Sequence, residues 1–275
     1  MGSLSNYLEN ELLDHALNNA AYSPAATIYL ALCTADPTDA GTGASMNECA
    51  NSGTYARKAI TVGNAASRRV TQDAVVTYDQ ATGSWGTVSH WAIVDSATHG
   101  AGNMLAYGAF TTPKAVVSGN TPSVASTEVY IEFSAGEISD YLANKLLDLA
   151  FNNTAYTSPS TYLALTTATI SDSNTGATIT EVANSGAYAR KQVNANGGSS
   201  PTWDLAASGL VDNTHAIAFT TATGSWGTVV AVAIVDSGTH GAGNLLFYDN
   251  GISDQAVAAD DTVNFPIGDF DVTMD

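Results

Sequence analysis

The side chains best suited to chemistry lie in two loops of nearly identical sequence. The loops read Asp95-Ser-Ala-Thr-His-Gly-Ala-Gly-Asn103 and Asp236-Ser-Gly-Thr-His-Gly-Ala-Gly-Asn244. Carboxylate and amide oxygens bind Ca²⁺, but this ion takes about six or more oxygen ligands and each loop has one charged residue. Glycine and asparagine also supply the positive φ angles of a tight turn between two strands. We therefore predict that each loop closes a β-hairpin and holds no metal.

His99, Asp95 and a nearby serine have the residue types of a catalytic triad. His99 and His240 are the only histidines that the two halves of the chain share. The sequence Gly83-Ser-Trp-Gly86, however, is not the G-x-S-x-G turn that exposes a nucleophilic serine, and no oxyanion-hole motif accompanies it. The sequence also lacks the motifs of a catalytic zinc, a phosphate-binding loop and a dinucleotide-binding turn. We predict that the protein is not an enzyme and takes no cofactor.

Two tryptophans stand in the best-kept repeated segment, Ala-Thr-Gly-Ser-Trp-Gly-Thr-Val at 81–88 and 222–229. The glycines beside Trp85 and Trp226 permit a bulged or edge strand in which the indole packs over a sheet or against a neighbouring subunit. The alternative is an exposed indole that stacks on a sugar. Packing is the simpler prediction, because the motif persists in both copies while the surrounding sequence differs.

The charge of the chain restricts its partners. It has 26 acidic and 8 basic residues and a formal net charge of −18. This sign repels phosphate backbones and anionic lipid, so we predict that neither nucleic acid nor a membrane is a partner. The repeated basic pairs are Arg57-Lys58 and Arg190-Lys191. They either meet acidic groups of a partner or neutralise their own half of the chain.

These features recur because most of the chain is a tandem duplication. In the first copy Ser5 or Asn6 can cap a helix that ends at Asn18-Asn19, with Glu9, Asn10 and Asp14 off its apolar face. The predicted apolar face consists of Leu8, Leu12, Leu13, Ala16 and Leu17. Runs rich in Thr, Val, Ile and Tyr then predict short strands at 27–34, 56–62, 74–78, 87–94, 104–110 and 127–133. The predicted fold class is all-β: two tandem, similar β-sandwich or partly open barrel lobes, each preceded by one short α-helix.

The duplication divides the chain into residues 1–137 and 138–275. The segment Phe133-Ser-Ala-Gly-Glu-Ile-Ser139 leads from the last strand of the first copy into the second helix without a flexible linker. We therefore expect the lobes to pack in a fixed relation. The insertions in the second copy fall between Lys191 and Ala222, around Asn196-Gly-Gly-Ser-Ser-Pro201.

Cys33 and Cys49 are too few for a disulfide framework, and the equivalent residues of the second copy are Thr166 and Val182. We predict buried free thiols. The first residues have neither the basic start nor the apolar core of a signal peptide, and no run of about 18 apolar residues could span a membrane. Synthesis in the cytosol without a cleaved signal is therefore expected.

Six motifs follow one another in the same order in both halves: Leu-Leu-Asp-x-x-x-Asn-Asn-x-x-Tyr, Tyr-Leu-Ala-Leu-x-Thr, Tyr-Ala-Arg, the octapeptide, Ala-Ile-Val-Asp-Ser and Gly-Asn-x-Leu-x-Tyr. This succession resembles small virion proteins of tailed bacteriophages, known as tail-fibre or minor structural proteins. It implies a non-enzymatic, β-rich component of the virion that is made in the host cytoplasm. The chain departs from the common pattern in its duplication and in having no long fibrous shaft.

On this resemblance, the expected function is that of a tail-fibre-like, collar or decoration subunit that binds other virion proteins. A homo-oligomer is expected, and a trimer would present six similar lobes to a hexameric capsomer or a six-fold tail platform. The alternative is a host-surface adhesin that binds a glycan or protein receptor through Trp85, Trp226 or the loops at Asp95 and Asp236. Position on the tail or on the capsid stays open.

Overall fold

A computed structural model of the chain describes residues 2–194 and 203–274. It contains many short strands and a helix near the start of each copy, so the predicted all-β class is confirmed. We name the copies lobe 1 and lobe 2 and take the predicted boundary between residues 137 and 138. The predicted insertion around 196–201 lies outside the described residues.

The elements of lobe 1 are β1 (Gly2–Leu4), α1 (Asn6–Leu17), β2 (Ile28–Cys33), β3 (Lys58–Ile60), β4 (Arg69–Thr71), β5 (Val76–Thr77), β6 (Gly86–Val94), β7 (Met104–Val116), β8 (Ser123–Val124) and β9 (Tyr130–Glu132). Those of lobe 2 are α2 (Asp140–Asn152), β10 (Thr161–Thr166), β11 (Lys191–Asn194), β12 (Leu210–Asp212), β13 (Ile217–Ala218), β14 (Gly227–Val229), β15 (Ala231–Val235), β16 (Leu245–Asp249), β17 (Gln255–Val257), β18 (Asn264–Phe265) and β19 (Asp271–Thr273). None of the described helices is long and apolar enough to cross a membrane.

A serine fixes the start of each helix and ties it to a strand. Ser5 Oγ accepts a hydrogen bond from Leu8 N at 3.4 Å and donates one to Met104 O in β7. In lobe 2, Ser139 Oγ accepts from Leu142 N at 3.1 Å and donates to a carbonyl of β16. Both serines are completely buried. The predicted cap therefore also orients the helix against the sheet.

The predicted apolar face of α1 is confirmed, because all five of its side chains are fully buried. Glu9, predicted to lie off this apolar face, is nevertheless only 2% exposed. Lobe 2 covers it, since a Cβ added at Gly209 would lie 2.8 Å from Glu9 Oε2. A helical pattern identifies the face toward its own lobe but not a second face that another lobe buries.

The sheet of lobe 1 has seven strands in the order β3-β2-β6-β7-β1-β9-β4. The predicted strands at 27–34 and 87–94 correspond closely to β2 and β6, whereas the one at 104–110 continues to Val116 as β7. Strands β1, β4 and β8 were not predicted. A strand, not the helix, therefore opens lobe 1, because pairing with the distant β7 and β9 creates β1.

The sheet of lobe 2 is divided. Strands β11-β10-β15-β16 form one sheet, and β12 pairs with β19 in a separate ladder. In lobe 1 the equivalent strands are joined through β1, which lies between β7 and β9. The ladder of β14 and β17 is also separate, whereas its counterpart in lobe 1 is part of the continuous β6–β7 pair. The lobes therefore share their architecture but differ at two places in the sheet.

The lobes meet through one polar row on each helix. The row of α1 is Asn10, Asp14 and Asn18, and the row of α2 is Asn144, Asp148 and Asn152. A spacing of four residues places each row on one helix face. Both rows bind main-chain groups of a turn in the opposite lobe, at 63–68 in lobe 1 and 204–209 in lobe 2.

The contacts of the two rows are equivalent. Asp14 Oδ1 accepts from Ala206 N at 2.9 Å, and Asp148 Oδ1 accepts from Ala65 N at 2.7 Å. The asparagines repeat this exchange: Asn10 and Asn144 accept main-chain N–H bonds, and Asn18 and Asn152 donate to carbonyls. Reciprocal contacts of this kind define a two-fold, isologous relation. Residues of both lobes also belong to one hydrophobic core.

One ion-pair cluster breaks this symmetry. The Arg68 guanidinium contacts Asp172 and lies 3.5 Å from Asp140 Oδ1, both of them in lobe 2. The equivalent position in lobe 2 is Gly209, which has φ +69°, close to the +63° of Arg68. A left-handed arginine is unusual. Its ion pairs across the lobe boundary offset part of that conformational cost.

Candidate functional site

Each lobe contains a buried polar cluster that we call the arginine clamp. The clamp of lobe 1 consists of Glu48, Tyr55, Arg57 and His99, and that of lobe 2 of Glu181, Tyr188, Arg190 and His240. The arginine and glutamate form a bidentate pair in both lobes, with N–O distances of 2.8 to 2.9 Å.

The guanidinium of Arg57 uses all of its N–H groups. Besides its two bonds to Glu48, it donates to Gly43 O, Ser96 O and Ala101 O, each at 2.8 Å. Arg190 makes the same set of bonds in lobe 2 at 2.7 to 2.8 Å. Each arginine therefore links the repeated loop, at 95–103 or 236–244, to the loop that contains Gly43 or Gly176. Both arginine side chains are completely buried. The sequence left open whether the repeated basic residues meet acidic groups of a partner or neutralise their own lobe. For Arg57 and Arg190, the acidic group is a glutamate of the same lobe.

A tyrosine links each clamp to the sheet. Tyr55 Oη donates to Glu48 Oε1 at 2.8 Å and accepts from Leu32 N in β2 at 2.9 Å. Tyr188 does the same with Glu181 and Leu165 N. Burial raises the pKa of both tyrosine hydroxyls well above their ordinary value. Burial also raises the pKa of Glu181, but hydrogen bonds and charge from Arg190 outweigh it and leave that pKa below its usual range.

The histidines of the repeated loops complete the clamps. His99 Nε2 lies 2.9 Å from Cys49 O and 3.6 Å from Glu48 Oε2. His240 has the same arrangement with Val182 O and Glu181. Each imidazole therefore lies against the glutamate of its clamp instead of forming a triad with the nearby aspartate.

The aspartates of the repeated loops are held by the loops themselves. Asp95 accepts hydrogen bonds from the main chain of Asn103 at 2.7 Å and from its side chain at 2.8 Å. Asp236 and Asn244 repeat both bonds. The loop at Asp95 joins the antiparallel strands β6 and β7, so the predicted hairpin is confirmed. Within 2–194 and 203–274, no group of three or more His, Cys, Asp or Glu could hold a metal.

The structure places both repeated tryptophans inside the lobes. Trp85 and Trp226 are 3% and 4% exposed. Their Nε1 atoms donate to Gly53 O and Gly186 O, each at 2.8 Å. Each ring also meets the clamp tyrosine edge to face, at 5.2 Å in lobe 1 and 5.3 Å in lobe 2. Neither indole has a free face on which a sugar could stack.

The glutamates are the clamp residues that sequence reasoning missed. Glu48 and Glu181 each precede their arginine by nine residues. The same spacing of opposite charges in both copies was an available signal. The tyrosines lay inside the repeated Tyr-Ala-Arg motif, but the motif alone did not indicate that they bind the glutamate.

The cysteines are buried free thiols, as predicted. Burial raises the pKa of Cys49 to about 12, with a contribution from Glu48, and the pKa of Cys33 is also strongly raised. Because the thiolate is the reactive form, both cysteines are poor nucleophiles at neutral pH.

A carboxylate pair lies on the separate ladder of lobe 2. Asp212 in β12 is directly opposite Asp271 in β19. The hydrogen bond that protonated Asp212 donates to Asp271, desolvation and the charges of Asp271 and Asp204 raise the pKa of Asp212 to about 6. The folded state therefore binds a proton at pH values where an unfolded aspartate, with a pKa of about 3.9, has lost it.

We expect this pair to make the protein less stable as pH rises from about 4 to about 7. The contribution should stay under about 1 kcal/mol, because solvent screens a pair this exposed. Urea unfolding at both pH values would measure it, and Asp212→Asn should remove it. Asp254→Asn, at an exposed aspartate of the same lobe, serves as control. Equal pH dependence in D212N and the unaltered protein would contradict the assignment.

The lobes and their reciprocal contact define a tandem-repeat, β-rich protein. Residues 3–132 and again 137–273 match the family described as podophage GP4 fiber I protein gp80. The two matches together cover nearly the whole chain, and the chain belongs to this family. The resemblance to phage tail-fibre proteins and the tandem duplication are thereby confirmed, and the role of the chain is that of a structural component of a phage virion. A comparison with curated proteins finds no match.

Proposed function

We propose that the protein is a non-enzymatic subunit of the phage particle, in a tail-fibre-like, collar or decoration position, that acts through protein–protein contacts. The match of both lobes to a phage fibre family carries this proposal. The partners are other virion proteins. The high negative charge makes nucleic acid and membranes poor partners.

The occupation of the repeated polar groups supports a role without catalysis. The arginines and glutamates of the clamps bind each other and loop carbonyls, and the repeated aspartates bind asparagines of their own loops. A general base or nucleophile needs a side chain that can reach a substrate. These residues instead fix the shape of the surface that the lobes present.

The reciprocal contact between the lobes limits how the chain could oligomerise. An isologous contact pairs two units and does not continue head to tail. The six lobes of a trimer would therefore form three two-fold pairs, not a ring of six equal neighbours. A homo-oligomer, including a trimer, stays part of the proposal in this arrangement.

The adhesin alternative is less well supported. Its strongest sequence feature was a pair of exposed indoles, and Trp85 and Trp226 are buried. Receptor binding would then depend on exposed loop residues, for which no comparable feature is present in the described part of the chain.

Electron-microscopic reconstruction of the phage particle would test the proposal. We expect a symmetric number of copies, with both lobes of each chain seated against other virion proteins. Absence of the protein from purified particles would overturn it. A few copies at the distal tail tip, with the loops at 95–103 or 236–244 directed outward, would favour the adhesin instead.

A further inference from the structure

Strand β1 closes the sheet of lobe 1 between two other strands. It runs antiparallel to β7, with Gly2 opposite Gly108, and parallel to β9, with Gly2 opposite Ile131. No side chain fits at Gly2, because an added Cβ would collide with the Trp91 ring. One short extended segment therefore satisfies the edges of both neighbouring strands.

Lobe 2 begins the same strand but does not complete it. Ile138 forms a bridge with Phe247, and Tyr248 N donates to Glu137 O at 2.7 Å. Gly136 and Glu137 then adopt φ angles of +105° and +63°, which turn the chain away toward β9 of lobe 1. The segment that takes the place of β1 in the second copy thus leads into lobe 1 instead of completing the strand.

The diverted segment leaves β19 with an open edge. In the described residues β19 pairs with β12 alone, whereas its counterpart β9 pairs with both β4 and β1. The facing side of β16 is covered over residues 246–248 by Glu137, Ile138 and Ser139, so the open edge of this gap is that of β19. We call the gap between β16 and β19 the lobe 2 seam.

The lobe 2 seam contains a cavity of about 470 Å³. Its apolar lining is Phe247, Ile252, Phe265, Phe270 and Val272. A second cavity of about 210 Å³ lies against Glu137 and Thr273, which line both spaces. This is enough room for a short extended peptide, and the apolar residues would cover one side of it.

The rim of the lobe 2 seam is acidic. Glu137, Asp249, Asp269 and Asp271 line the larger cavity, and no lysine or arginine does so. The equivalent residues in lobe 1 are Ser3, Gly108, Glu128 and Tyr130, of which one is a carboxylate. The negative charge is therefore a property of the open seam and not of the repeated lobe.

We propose that the lobe 2 seam binds an extended segment of another protein that carries lysine or arginine. The segment adds as a strand parallel to β19, in the orientation that β1 has against β9 in lobe 1. Main-chain hydrogen bonds to the open edge of β19 provide affinity, and the four carboxylates select the basic side chains. The proposal rests on the proposed function only in that the natural segment would belong to another virion protein.

A labelled synthetic peptide, acetyl-Lys-Gly-Ser-Leu-Lys-amide, would test the seam by fluorescence anisotropy with the full chain. Its centre has the sequence of β1. We expect saturable binding, and a loss of affinity of about tenfold or more in the double variant Asp269→Lys with Asp271→Lys. The single variant Asp269→Lys should already weaken binding, whereas Glu128→Lys, which makes the same charge change as D269K at the equivalent position of lobe 1, should leave the affinity within about twofold.

A peptide with N-methylated backbone amides separates strand addition from charge attraction. Its binding should be weaker by about tenfold or more, because it cannot donate to the open edge of β19. Unchanged binding of this peptide, or an equal loss in E128K, would overturn the proposal. No saturable binding up to about 1 mM would do so as well.

Sedimentation of the free chain tests a different occupant. Self-association that D269K with D271K abolishes would identify a second copy in the seam and overturn the choice of a basic partner. These measurements use the isolated protein. If they contradict binding at the lobe 2 seam, the proposed role on the virion is still tested independently by the particle reconstruction.

Discussion

Replacing Arg57 with methionine is expected to lower the free energy of unfolding by about 3 to 5 kcal/mol. The methylene stem of the side chain is largely preserved, but the charge and all of the donors are lost. Glu48, which is 5% exposed at its side chain, then keeps a buried carboxylate without its cation. The carbonyls of Gly43, Ser96 and Ala101 also lose their donor. Urea unfolding at neutral pH would measure the change.

Lobe 2 and an exposed arginine supply the controls. Arg190→Met should cost about as much as R57M, because its bonds are the same and both lobes contribute to one core. Arg69 lies 3.8 Å from Glu132 at the surface, so Arg69→Met should cost under about 1 kcal/mol. An R57M variant no less stable than R69M would show that the clamp does not stabilise the lobe.

The clamp shows what the sequence could and could not reveal. Arg57 and Arg190 were identified because they recur in both copies. The sequence left open whether they bind acidic groups of another protein or of their own lobe. The answer depends on a loop that returns Glu48 to the arginine after nine residues. Neither helical nor strand periodicity describes such a loop, so only a comparison of charge spacing between the copies could have identified the pair.

Local periodicity explains which elements of the fold were predictable. The apolar face of α1 and the long strands β2 and β6 have repeating patterns that specify them. Strands β1, β4 and β8 have two or three residues each, which is too short for a period, and distant pairing defines them. The division of the lobe 2 sheet was likewise unpredictable, because it results from where the lobes are joined.

The contact between the lobes was missed for another reason. Asn10 and Asp14 were assigned only by their position off the apolar face, and such residues usually face solvent. The recurrence of Asn-x-x-x-Asp-x-x-x-Asn in both helices was the available signal. A polar row kept in two copies, at a spacing that aligns it along a helix, indicates a second contact surface.

Replacing both row aspartates, Asp14→Ala with Asp148→Ala, is expected to lower the free energy of unfolding by about 2 to 6 kcal/mol. Each change removes the acceptor of a main-chain N–H in the opposite lobe, at Ala206 and Ala65, and costs about 1 to 3 kcal/mol. By the two-fold relation, the single variants should have similar effects. Urea unfolding of both single variants and the double variant would measure this.

The sign of the effect distinguishes a fixed contact from independent lobes. Alanine has a higher helix propensity than aspartate, so each substitution alone would be neutral or slightly stabilising if the row faced solvent. Lys145→Ala, at an exposed position of α2, provides that reference and should change stability by under about 0.5 kcal/mol. Each aspartate also accepts a bond from the asparagine four residues later, Asn18 or Asn152, and a pair at this spacing is worth about 0.5 kcal/mol or less. A loss in D14A and D148A well above that must therefore come from the bonds between the lobes, and unchanged or increased stability would mean that these bonds do not hold the lobes together.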